Sequence, residues 1–165
     1  MTDPDMLLMI ARGIRGGVSM ITKKHAESNN PYSKETYDSS KPLTYLMYYD
    51  ANNLYGWAMS EPMPQADFTW CTRQQLDALR VQDIVVNSDT GYILEVDLDY
   101  PAELHDQHSD YPLAPEQRTV TLDEMSPHTQ RLRERLMLAG RPQSKLVPTL
   151  HPKRRYVLHY RALQL

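Results

Sequence analysis

The sequence predicts an α+β fold with several antiparallel strands, few long helices and long loops. Three observations carry this. The segment "GYILEVDLDYP", 91–101, alternates cleanly: Tyr92, Leu94, Val96, Leu98 and Tyr100 fall on one side, Glu95, Asp97 and Asp99 on the other, the period of a half-buried strand. The runs "LTYLMYYD", 43–50, and "RRYVLHYRALQL", 154–165, are rich in strand formers, the first apolar on both faces as in a central buried strand. The helical signals, by contrast, are short and sharply bounded by caps.

In chain order, Asp3 can cap a helix over 3–13, with Pro4 at its first position and Gly13 at its end. "IRGGVSMI", 14–21, reads as a glycine pair opening into a strand-like run. Residues 25–42 are polar, with Asn and Pro, and read as a loop. After the strand at 43–50 the chain turns away through a short helix that stops before Pro62. Thr72 with Gln75 forms a capping box for a helix over 73–80. Ser126-Pro127 starts a helix carrying Leu132, Leu136, Arg131, Arg133 and Arg135 and ending at Gly140. No internal repeat or low-complexity segment is present.

A chain of 165 residues and 19.2 kDa suits one domain, or one with an appendage. A net charge of -3 gives no global basic field, which argues against a free-standing DNA-binding module but not against a local basic site. The one cysteine, Cys71, rules out an internal disulfide and fits a reducing compartment. No apolar run is long enough for a membrane span, and "MTDPDMLLMI" lacks the marks of a signal peptide, so no membrane partner is expected. The C-terminal run reads as a strand with no polar tail, so the chain is expected to be part of a longer protein.

The residues that bear on chemistry begin with Asp50, the one acid in its apolar run. An aspartate at a strand end most often caps the next turn. A carboxylate fixed by a rigid strand is also what divalent-metal chemistry needs, and Mg²⁺ is commonly held by one or two carboxylates plus substrate phosphates. "NNLYG" can bring backbone N–H groups near a triphosphate, and Tyr55 can lie flat under a sugar ring. Core packing is the simpler account of Tyr55 and Trp57. Gly16 and Gly17 permit close approach of backbone to phosphate, with Arg15 adding charge; an ordinary glycine turn explains them too.

The ordered string "YYDANNLYG" resembles the first palm motif of family B DNA polymerases, of general form D-x-x-S-L-Y-P, with Asn53 in place of Ser and Gly56 in place of Pro. "IRGGVSMI" resembles the Y-x-G-G segment of the protein-primed branch, with Ile14 in place of Tyr. Together with "TDPDMLLMIARGIRGG", "GYILEVDLDYPAELHDQHSDYPLAPE" and "KLVPTLHPKRRYVLHYRALQL", nearly the whole chain is similar to polymerases of Maverick/Polinton-type elements and related viruses.

The resemblance implies a partial palm: residues 1–24 before it, 43–64 its first motif, 65–165 an insertion-like region, with exonuclease, remaining palm and thumb absent. It implies template-directed nucleotidyl transfer with two Mg²⁺ ions. Asp50 is then a metal ligand with the Ala51 carbonyl. Asn53 and Leu54 face the triphosphate, Tyr55 lies under the deoxyribose and excludes a 2′-hydroxyl, and Arg15, Gly16 and Gly17 touch the template. The implied partners are a DNA primer-template, deoxynucleoside triphosphates and a terminal priming protein. The family's second acid motif, Y-x-D-T-D, and its K-x-x-x-N-S-x-Y-G helix are missing from the sequence. One carboxylate cannot hold two metals, so these 165 residues alone are expected to be inactive.

Other constellations are weaker. His105 and His108 in "HDQHSD" have the spacing of half a metal site, or of a solvated loop. "RLRER" and "PKRRY" read as solvated faces, with DNA contact as the alternative. Cys71 reads as a small buried residue and the nine Met as core fillers. Two rival functions remain: a degenerate, non-catalytic DNA- or partner-binding fragment, and a metal-dependent transferase that uses "DLD", 97–99, on a sugar nucleotide.

Overall fold

The computed structural model describes residues 1–138 and 144–164, and the chain divides into two units, residues 1–20 with 66–165 and residues 21–65. The secondary structure is mixed, with short helices and two small antiparallel sheets, an α+β chain. No helix among the described residues is long and apolar enough to cross a membrane.

The first unit is built around two strands, β1 (Ile93–Leu98) and β4 (Lys153–His159), paired antiparallel with Ile93 opposite His159 and Val96 opposite Tyr156. The alternation in "ILEVDL" survives: Val96 and Leu98 face inward, while Glu95 and Asp97 stay exposed. β4 supplies the core, since Tyr156, Val157 and Leu158 are buried with Tyr160 just beyond. Between Val96 and Leu98 the register slips, giving a bulge in which Arg155 takes a left-handed φ of 52°. The extra residue brings both Arg154 and Arg155 to the acidic face of β1.

α1 (Pro4–Gly13) begins and ends as its caps dictate: Asp3 accepts from the N–H groups of Asp5 and Met6, with Pro4 at the first position. Met6, Met9, Ile10 and Gly13, one helical face, are its better covered residues. The helix runs close to β4, so a Cβ at Gly13 would lie 3.2 Å from the Val157 Cγ1. Trp70 Nε1 donates to Asp3 at 2.9 Å, and this bond, with the cap N–H of Asp5, holds the Asp3 carboxyl below its ordinary range.

α3 (Arg73–Ala78) carries the expected capping box, with both the Gln75 N–H to Thr72 and the Gln75 side chain to the Thr72 N–H formed, and stops two residues short of the expected end. α4 (His105–His108) is a single turn. The ribbon of β2 (Glu116–Thr119) and β3 (Ser144–Val147) has no counterpart in the sequence reading, because four mixed residues carry no period. α5 (Pro127–Arg135) lies between them, capped by Ser126 as expected. It ends at Arg135, with Met137 at φ 50° and the N–H groups of Met137 and Leu138 bonding back to Glu134 and Arg133. That pattern closes a helix in the same way as a C-terminal glycine; the expected stop, Gly140, lies outside the described residues.

Two expected strands are corrected here. Residues 14–21 form no strand and are mostly exposed; Gly17 at φ 85° breaks the extended path. The final strand ends at His159, and the chain turns through Tyr160–Leu163 instead of running on. The turn buries Tyr160 edge-on against Tyr92, and Gln164 donates to the carbonyls of Val81 and Ile84.

The second unit is organised by two asparagines. Asn29 donates through Nδ2 to the carbonyls of Asp38, Lys41 and Pro42 and accepts from the Asp38 N–H. Asn30, 4 % exposed, donates to the Thr44 carbonyl and accepts from the Tyr32 N–H. A single bridge, Asn29 to Thr44, is the only sheet-like pairing in this unit. α2 (Leu54–Ser60) follows and stops before Pro62 as expected.

The buried strand expected at 43–50 is overturned. Leu43, Tyr45, Leu46, Met47, Tyr48 and Tyr49 all lie more than half exposed, and past Thr44 the run has no regular structure. A strand exists only through its ladder, and an apolar run without a paired neighbour has nothing to satisfy its N–H and C=O groups. The reading of Tyr55 and Trp57 as core packing falls with it, since both are exposed.

Candidate functional site

The acid and the aromatic of the palm-like motif sit on either side of the entry to α2. Asp50 is exposed and makes no hydrogen bond or ion pair among the described residues. The notion that it caps the next turn is therefore not met. The N-cap of α2 is Asn53, at φ 53°, a left-handed conformation that Asn tolerates better than most residues. Its carbonyl accepts from the Trp57 N–H at 3.0 Å, which starts the helix. The first-turn N–H groups, Leu54 among them, have no acceptor within the helix by position. Tyr55, 86 % exposed, projects from that turn.

Asn53 and Gly56 explain each other. A Cβ at Gly56 would sit within 2.6 Å of three atoms of the Asn53 amide. The two positions at which this chain departs from D-x-x-S-L-Y-P thus form one contact, in which the larger Asn side chain occupies the space a side chain at 56 would fill.

Ala51 and Leu54 are exposed and belong with Asp50 to the second unit, whereas Arg15, Gly16 and Gly17 belong to the first. Arg15 Nη1 donates to the Val157 carbonyl at 2.6 Å and to the Gly13 carbonyl, and its guanidinium lies 3.7 Å over the Tyr156 ring. Arg15 thereby ties the end of α1 to β4. Gly16 and Gly17 are exposed, with open space where a side chain would be.

The acids on the outer side of β1, and Asp99 just past its end, are matched by arginines. Arg12 and Arg155 each take one oxygen of Glu95, at 2.6 and 2.9 Å. The Arg155 bond is the first cause holding the Glu95 carboxyl below its ordinary range. Arg154 lies 3.1 Å from Asp99 and 3.7 Å from Asp97, and Asp97 also accepts from the Arg155 N–H at 2.8 Å. "DLD" is thus a bulge support, and the sugar-nucleotide reading has a simpler competitor. Asp97→Ala should leave the Arg155 N–H without its acceptor and lower stability by about 1–2 kcal/mol. Asp97→Asn, which keeps an oxygen for that N–H, should restore most of it; urea unfolding of the two variants distinguishes the roles.

The histidine pair is also engaged. His105 Nε2 donates to the Tyr100 carbonyl at 3.1 Å, and the Tyr100 hydroxyl bonds His108 Nδ1 at 2.6 Å. No group of three or more His, Cys, Asp or Glu among the described residues is arranged to hold a metal. Cys71 is half-buried. Lys153, placed by sequence in a basic patch, is 1 % exposed and donates to both oxygens of Thr149, and burial lowers its pKa. No alternation in β4 signals it, since Tyr156, Val157 and Leu158 are buried in succession and the two residues after Lys153 are exposed arginines.

No family model, curated protein or solved structure matches this chain.

Proposed function

We propose that the chain is a partial palm region of a family B, protein-primed DNA polymerase from a mobile element or related virus. The observation that carries this is the ordered set Arg15-Gly16-Gly17, Asp50 and Leu54-Tyr55. In this reading Asp50 and the Ala51 carbonyl serve one side of a Mg²⁺ site, and Asn53 and Leu54 turn N–H groups to the triphosphate. Tyr55 lies under the deoxyribose, and Arg15, Gly16 and Gly17 follow the template strand. Three features support it: a carboxylate without a competing partner, a helix that starts four residues after it, and an exposed tyrosine on its first turn.

When bound, Mg²⁺ supplies Lewis-acid stabilisation of the oxygens exchanged at phosphorus. Asp50 would supply one carboxylate of such a site. A second acid and a paired strand under Asp50 are needed to fix it, so primer extension by the 165 residues alone is not expected. The second reading, a non-catalytic DNA- or partner-binding fragment, is favoured by the unpaired run at 45–50 and the missing acid motif.

Primer extension separates the two, on this chain and on any longer reading frame that contains it. Activity in the longer protein alone, lost on Asp50→Ala, is the expected result. Extension that persists in Asp50→Ala would overturn the role of Asp50. No extension by either protein would leave the non-catalytic reading.

A further inference from the structure

Charge is strongly segregated along this chain. Residues 77–125 hold twelve Asp or Glu and two basic residues, Arg80 and Arg118. Residues 126–165 hold nine Lys or Arg and a single acid, Glu134. Folding cancels part of this: Arg154 and Arg155 of β4 meet Glu95 and Asp97 of β1 and Asp99 just past its end, and Lys153 turns inward to Thr149. Arg118 is likewise matched, to Glu124. α5 keeps three arginines together without such a match. The guanidiniums of Arg131, Arg133 and Arg135 have no hydrogen-bond or ion-pair partner among the described residues. Arg131 and Arg135 are exposed, one helical turn apart.

We infer that α5 is a docking surface for the sugar-phosphate backbone of a single-stranded nucleic acid, read without sequence preference. Arginine presents a planar fork of donors that matches phosphate oxygens and is weakly hydrated, so it forms such contacts at low desolvation cost. Arg131 and Arg135 lie about 6 Å apart along the helix axis at about 1.5 Å per residue. That is close to every second phosphate of a stacked strand at about 3.4 Å per nucleotide. A membrane surface is the poorer occupant. An interfacial helix needs a free apolar face, and Leu132, the one large apolar residue within α5, is half-covered by its own unit. The exposed Leu136, Met137 and Leu138 lie past the helix end and add no stripe along it. The inference stands on charge geometry and does not rest on the polymerase reading.

The test is fluorescence anisotropy of a labelled mixed-sequence single-stranded oligonucleotide with the full chain, without metal or triphosphate, across a range of salt. Binding should weaken with salt, and its log–log slope should fall by about 0.7 for each phosphate-contacting arginine removed. Arg131→Gln with Arg133→Gln and Arg135→Gln should therefore lower affinity at least tenfold at low salt, with a slope about 1.4 units shallower, because Arg133, about 200° round the helix from the other two, meets no phosphate of the same strand. Arg73→Gln, in α3, where the arginine pairs with Asp77 one turn along the same helix, should change neither. Circular dichroism of the triple variant shows whether α5 and the rest remain folded. If it does not fold, the single variants Arg131→Gln and Arg135→Gln, each shifting the slope by about 0.7, decide instead. Unchanged binding in a folded variant, no binding by the wild-type chain, or preference for anionic vesicles over the oligonucleotide would each overturn the inference.

Discussion

Tyr156→Ala should destabilise the unit formed by residues 1–20 and 66–165 by about 3–5 kcal/mol, the range for truncating a buried aromatic. A domain of this size has about 5–15 kcal/mol in total, so the variant should be largely unfolded well below the wild-type transition. The size follows from three losses at one position. The ring is 8 % exposed in the centre of β4. Its hydroxyl donates to the Pro115 carbonyl at 3.0 Å, a bond between β4 and the start of β2. Burial raises the phenol pKa, which keeps that donor proton in place. The ring face carries the Arg15 guanidinium, whose Nη1 also holds the Val157 carbonyl. Tyr156→Phe should cost only about 1 kcal/mol, the net worth of the hydroxyl bond. It should also leave Arg15 in place. Urea unfolding followed by tryptophan emission, with Trp70 in this unit, measures both. Similar losses in the two variants would show that the hydroxyl, not ring burial, is what matters.

The parts of the fold that were legible in the sequence are those fixed by local chemistry. Asp3-Pro4, Thr72 with Gln75, and Ser126-Pro127 each cap a helix through bonds made within three residues, so a short window contains the cause. The alternation of β1 is legible for the same reason. Pairing is not local. Nothing in "RRYVLHY" announces that its partner lies about sixty residues upstream, or that a bulge turns Arg154 and Arg155 to one face. The run at 43–50 shows the converse failure. Its residues suit a buried strand, but a strand is a relation between two segments, and the second is missing from this unit.

The candidate site was legible only as order along the chain: Asp50, Asn53, Leu54 and Tyr55 are neighbours in sequence, and their entry into α2 follows from that. Their fixed geometry was not, because it depends on the same missing pairing. The contact between Asn53 and Gly56, and the capture of Arg15 by Tyr156, depend on a left-handed turn and on a long-range packing that no local pattern announces.

Asn29→Ala should release the loop from residue 28 to residue 44 while leaving the first unit folded. This unit has no apolar core: among its described residues only Asn30 is buried. Its order rests on polar bonds, and Asn29 alone contributes four from its side chain, three donated to carbonyls and one accepted from the Asp38 N–H. The amide has two N–H hydrogens for three carbonyls, so one is shared and the side chain is worth about three full bonds; at about 0.5–1.5 kcal/mol net per bond the loss is about 1.5–4.5 kcal/mol, enough to melt a segment whose local stability has no hydrophobic reserve. Asn29→Asp is the sharper variant. It keeps an oxygen for the Asp38 N–H but sets a carboxylate against the carbonyls of Asp38, Lys41 and Pro42, so it should be no better than alanine. Limited proteolysis should cut both variants within 30–44 far faster than the wild type, and amide exchange should show lost protection at Asp38 and Thr44. Because Thr44 leads directly into the run that ends at Asp50, the same experiment asks whether the loop positions that acid. Nuclear magnetic resonance signals of 45–55 that stay unchanged in Asn29→Ala would show that Asp50 and Tyr55 take their conformation from α2 and its Asn53 cap alone.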